Sequence, residues 1–155
     1  MRVLALTVGV VGLLLVALCI QDADARLFET ERETLARYGG IAKKLKAGPG
    51  EEMFVYQQGD FFVVVAFVNG KSAMEVYGHR DGKTPLSTKE MRSFLDLNSF
   101  GQHWRKSPDI PLWSLGGWNP RSWTALAACY PKSPHTGPGL GVMTFSYARK
   151  LGIAP

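Results

Sequence analysis

The chain has 155 residues, 18 Lys and Arg against 13 Asp and Glu for a formal charge of +5, and two cysteines. That length suits one domain with an ordinary hydrophobic core, and so few cysteines exclude a disulfide-stapled scaffold. The sequence has no glycine-rich phosphate loop, no Gly-x-Ser-x-Gly elbow and no Cys/His metal spacing, which sets aside the nucleotide-dependent, serine-hydrolase and zinc-site classes.

Residues 1–25 form an export-signal pattern. Arg2 gives a positive start, residues 3–20 are apolar and uncharged, and Ala23-Asp24-Ala25 gives the small-x-small pattern of a cleavage site. The expected mature chain begins at Arg26 and is a single domain over 26–155, working outside the cytoplasm, periplasmic or secreted, with no nucleic acid at hand. Two alternatives place it on a membrane: an uncleaved apolar segment 3–20, or lipid attachment at Cys19. Without Arg2, Asp22 and Asp24 the domain keeps 17 basic and 11 acidic residues, a formal +6. Such an excess favours anionic partners or simply solubility.

Thr30 and Glu33 stand at capping-box spacing and start a short helix ending at Tyr38, with Leu35 and Tyr38 on one face and Gly39-Gly40 as the stop. Residues 41–46 are expected as a loose turn. Strands follow over 53–58, 61–68 and 71–77. Asn69-Gly70 is a strong two-residue hairpin signal and Gly59-Asp60 a weaker one.

Two-residue turns fix the register: Gln58 opposite Phe61, Tyr56 opposite Val63, Phe54 opposite Val65, then Val68 opposite Lys71, Ala66 opposite Ala73 and Val64 opposite Glu75. One face then carries Phe54, Tyr56, Val63, Val65, Phe67, Met74 and Val76, the expected core. The other carries Met53, Val55, Phe62, Val64, Ala66, Ala73 and Tyr77, rimmed by Gln57, Lys71 and Glu75. This second face is either covered by a helix or C-terminal segment or left open for a partner. Its candidate partner-binding residues are Met53, Val55, Phe62, Val64 and Tyr77.

Ser87 and Glu90 begin a second helix that runs to Leu97, with Leu86 and Met91 spaced as a hydrophobic staple. Residues 104–123 hold all four tryptophans among three prolines, which argues against a long regular element. Residues 123–130 and 140–147 are expected as strands, the last with Met143, Phe145 and Tyr147 on one face. The expected fold is therefore α+β: an antiparallel sheet of about five strands with two short helices.

The chemistry on offer is sparse. His79-Arg80-Asp81-Gly82 has acid–base groups but also the composition of a turn. Cys129 with His103 or His135 could form a thiol nucleophile and base, against a structural cysteine in a strand. Trp104, Trp113, Trp118 and Trp123 could stack on sugars of a cell-wall polymer, or fill the core. No cofactor and no metal is expected.

The order of Tyr38-Gly39, a strand, and Phe61 onward to Phe67-Val68-Asn69-Gly70-Lys71 resembles small envelope proteins of the SmpA/OmlA type, and the helix-plus-sheet unit resembles β-lactamase inhibitory proteins. The resemblance covers residues 30–77 and implies a non-enzymatic domain that binds another protein. A broader likeness, through Arg37-Tyr38-Gly39, Asn69-Gly70-Lys71, Asp81-Gly82, Pro85-Leu86-Ser87, Glu90, Asn98, Trp104 and residues 142–147, is to a group of uncharacterised exported bacterial proteins and implies the order of elements only.

Overall fold

The computed structural model describes residues 26–106, 112–116, 123–130 and 138–154. The proposed signal, Cys19, Trp118 and His135 lie outside them. Along the chain come α1 (Glu31–Tyr38), β1 (Ile41–Leu45), β2 (Glu51–Gln58), β3 (Phe61–Val68), β4 (Lys71–His79), α2 (Thr88–Leu97), β5 (Arg105–Lys106), β6 (Leu112–Gly116), β7 (Trp123–Tyr130), β8 (Gly139–Thr144) and α3 (Phe145–Lys150). All eight strands form one antiparallel sheet in the order β1-β2-β3-β4-β8-β7-β6-β5. The fold is α+β as expected, with eight strands in place of about five and three helices in place of two among the described residues.

Local signals place their elements closely. Thr30 caps α1 and Ser87 caps α2, each in a complete capping box with Glu33 or Glu90. Such a cap satisfies donors that the first helical turn leaves free and contributes about 1 kcal/mol. The Asn69-Gly70 turn takes φ of 52° and 74°, the left-handed pair that a tight hairpin needs. The β2–β3 register is the expected one from Gln58–Phe61 to Phe54–Val65.

Four expectations are corrected. In α1 the buried residues are Thr34 and Tyr38, one turn apart, while Leu35 is 40% exposed. Residues 41–45 pair with β2 as an edge strand and are no loose turn. The proline- and tryptophan-rich stretch contributes the short strands β5 and β6, because β6 pairs with β7 and β5 in turn with β6, which supplies hydrogen bonds that local sequence does not encode. The last strand stops at Thr144, whose hydroxyl accepts from the Tyr147 amide, and residues 145–150 turn into a helix.

The fifth correction has the widest effect. The β3–β4 ladder slips after Phe67–Ser72, so Ala66 faces Met74 and Ala73 is a bulge residue. One extra residue on one strand reverses the facing of everything beyond it. Met74 and Val76, expected in the core, go to the outer face. Glu75 and Tyr77 go to the inner face beside Val65 and Val63.

The inner face carries the main core. Tyr38 of α1 and Phe94 and Leu95 of α2 pack there with Leu27, Phe54, Tyr56, Val63, Val65 and Tyr77. Phe94 stacks on Tyr77 at 4.2 Å and meets Phe61 edge-on at 5.3 Å, geometries worth about 1 kcal/mol beyond the area they bury. On the outer face α3 lays Tyr147 and Ala148 over Ala66, Leu126 and Met143. Phe62 lies over Gly78 in the neighbouring strand, where a Cβ would stand 2.5 Å from the ring. No helix among the described residues is long and apolar enough to cross a membrane.

Candidate functional site

Residues 26–30 run along β4. The Phe28 amide donates to the Ser72 carbonyl at 2.8 Å, and the Ser72 amide to the Glu29 carbonyl at 2.7 Å. The Ser72 hydroxyl donates to the Arg26 carbonyl at 2.8 Å and accepts from the Glu29 amide at 3.0 Å. β8 pairs with β4 only as far as Met74. The 26–30 strap takes over the same edge of β4 beyond the bulge, satisfying backbone groups that β8 leaves as it turns into α3.

The strap closes a polar ring under the sheet. Arg26 Nη1 donates to the Tyr38 hydroxyl at 2.9 Å, and Tyr38 donates to Glu75 Oε2 at 3.2 Å. Tyr77 donates to the same oxygen, and Asn98 Nδ2 donates to the Tyr77 hydroxyl at 2.9 Å. Asn98 Oδ1 then accepts from the Leu27 amide at 3.2 Å, so the ring returns to the strap. The guanidinium carbon lies 5.2 Å from the centre of the Tyr38 ring and 5.8 Å from that of Tyr77. Arg37 of α1 pairs with Glu29 of the strap.

Burial governs the electrostatics. Arg26 is 7% exposed and Glu75 fully buried. Loss of hydration pushes the Glu75 carboxyl up to about 7, against the opposing pull of the Tyr77 hydrogen bond and the Arg26 charge. Burial disfavours the Arg26 charge, yet Tyr77, Tyr38 and Glu75 outweigh it and its pKa rises. Burial also pushes Tyr56 up to about 12. Among the described residues, Arg26 Nε, Glu75 Oε1 and the Tyr56 hydroxyl find no hydrogen-bond partner. These groups are of the acid–base kind, and the carboxyl is buried beneath the strap.

The sequence placed Glu75 on the rim of the outer face and Tyr77 within the partner-binding set. Both sit in the core instead, on the opposite face from Met53, Val55, Phe62 and Val64. A carboxylate amid the apolar strand 71–79 was the available signal, and the bulge concealed its meaning.

The other four candidates do share the outer face. Val64 is buried at its centre, while Met53, Val55 and Phe62 are partly exposed, joined by Met74 and Val76 from the bulged strand. Lys43 lies on this side opposite Val55. At the α3 end, Tyr147 and Lys150 both bond to Glu51.

Trp104 donates its indole N–H to the Leu95 carbonyl at 2.7 Å, and it and Trp113 pack against the inner core. Each therefore has one side committed to packing. Trp123 heads β7, and its side chain lies outside the described set. Cys129 Sγ is 3.2 Å from Met91 Sδ, and burial pushes its thiol up, away from the reactive thiolate. His79 faces Glu90 at 3.4 Å, tying the end of β4 to α2, while Asp81 accepts from the Lys83 and Thr84 amides as a turn residue does. Among the described residues, no three of His, Cys, Asp and Glu gather as a metal site.

No family model and no curated protein matches the chain. Among solved structures it is similar to a cysteine-rich secretory protein from Staphylococcus aureus, at 6% identity and a TM-score of 0.44, over 84% of this chain and 51% of that one. The chain thus spans about half the length of that protein, and a likeness of this degree carries no argument.

Proposed function

We propose that this chain is an exported, non-enzymatic domain that binds another protein through the outer face of its sheet. The observation that carries the reading is the partial cover on that face. α3 closes the row of Ala66, Leu126 and Met143, while Met53, Val55, Phe62, Met74 and Val76 stay partly open. Apolar patches of this kind with polar margins serve as contact surfaces. The amino-terminal signal pattern supports export, and the resemblance of residues 30–77 to protein-binding envelope domains supports the class. Glu75, whose carboxyl burial pushes up to about 7, accepts from Tyr38 and Tyr77 within the strap network.

The test is a benzophenone side chain placed in turn at Val55, at Val76 and at Thr88 on the helix-covered side, in the cell that makes the protein. Adducts to one protein from Val55 and Val76, with none from Thr88, are expected. Adducts from Thr88 alone, or none from any position, would overturn the reading.

A further inference from the structure

β1 is one end of the sheet, and among the described residues no strand pairs with its far edge. At the other end β5 has two residues, and residues 26–30 cover the edge of β4 beyond the bulge. The side chains from Ile41 to Lys44 are all exposed, Ile41 at 39%. We propose that the partner enters as an extended, acidic segment that adds a strand to β1 and carries the outer apolar face onward. This inference rests on the protein-binding reading and names the kind of partner.

The register shows which backbone groups face outward. Gln58 and Phe61 flank a two-residue turn and so form a hydrogen-bonded pair. From there the alternation turns the backbone groups of Tyr56 and Phe54 toward β3 and those of Val55 and Met53 toward β1. Val55 and Met53 stand opposite Lys43 and Leu45, so the N–H and C=O of Lys44 point away from the sheet. An added strand takes up such groups. Lys43 and Leu45 continue the outer face beside Val55 and Met53, so that strand meets a cation and an apolar group on this side. Charge selects the occupant. Lys44 pairs with Glu52 at 2.9 Å and Lys150 with Glu51, while Lys43 and Lys46 have no ion pair among the described residues. Self-pairing through β1 would bring Lys43, Lys44 and Lys46 against their own copies, which like charges oppose. A strand bearing carboxylates meets the same three lysines favourably.

The test keeps the benzophenone at Val55 as the readout, in the cell that makes the protein, and changes β1. Lys44→Pro removes the outward N–H, whereas Lys44→Ala keeps it and loses only the side chain. Lys43→Glu with Lys46→Glu reverses the two charges that lack an ion pair and leaves the backbone alone. Near-ultraviolet circular dichroism first checks that each variant keeps the fold. Adduct yield is expected to fall at least about 10-fold in Lys44→Pro and in the double variant, and to change less than about 2-fold in Lys44→Ala. The partner residues joined to Val55 should lie in a segment with more Asp and Glu than Lys and Arg. That segment, added as a synthetic peptide, should slow hydrogen exchange of the Lys44 amide in the unaltered protein, a measurement that needs no variant. Undiminished adducts in Lys44→Pro and the double variant, or an unprotected Lys44 amide, would overturn the inference and leave the outer-face reading standing. A joined segment without an acidic excess would overturn it as well. So would loss in the double variant alone together with binding to phosphatidylglycerol vesicles, which would assign the lysines to a lipid surface. No adduct from the unaltered protein would overturn the outer-face reading itself.

Discussion

Glu75→Gln is the substitution that most directly tests the buried ring. The amide keeps the shape and can still accept from Tyr38 and Tyr77, but it does not titrate. In the folded protein the carboxyl sits at about 7, against an ordinary 4.5. The folded state therefore holds the proton more tightly than the unfolded chain. The stability contributed by Glu75 is complete below about pH 4.5 and is lost as the pH rises through about 7. Each pKa unit is worth about 1.4 kcal/mol, so the wild-type protein should lose about 3 kcal/mol across this window that the variant does not lose. At a urea dependence of about 1.5 kcal/mol per molar, the midpoints should diverge by about 2 M between pH 4.5 and pH 8. Urea titrations of both proteins across that range, followed by tryptophan fluorescence, give the difference directly, and titrations common to both cancel. Parallel stability profiles would refute the assignment of a raised pKa to Glu75, and with it the account of its burial.

Gly78→Ala should cost about 2 kcal/mol, because the new methyl meets the Phe62 ring; thermal unfolding measures it, and a neutral result would mean that the ring does not lie over Gly78. Thr144→Ala removes the α3 cap and should cost about 1 kcal/mol, with increased binding of a hydrophobic dye as the helix frays from Ala66, Leu126 and Met143. Unchanged dye binding would argue that α3 is held by packing alone.

What could be read from the chain was what its near neighbours decide. Both capping boxes and the β2–β3 register follow from residues within a few positions of one another, and the structure has them as read. β1, β5 and β6 were missed because each exists only by pairing with a strand already in the sheet. α3 was missed because the alternation of Met143, Phe145 and Tyr147 imitates a strand, while Thr144 caps a helix that packs on the outer face.

The candidate surface was legible through β2 and β3, which gave Met53, Val55, Phe62 and Val64 a common side. It failed in β4 at Ala73. No local feature announces that bulge; it stands where β8 leaves the edge of β4 and a strap from more than forty positions earlier in the sequence joins at Ser72. Short-range sterics and hydrogen bonding suffice to encode the turns, the caps and the apolar character of the strands. Long-range contacts set which side of β4 is core and bury Arg26 and Glu75 together. A period-two strand turns over completely with one extra residue, and the contacts that select that residue come from distant parts of the chain.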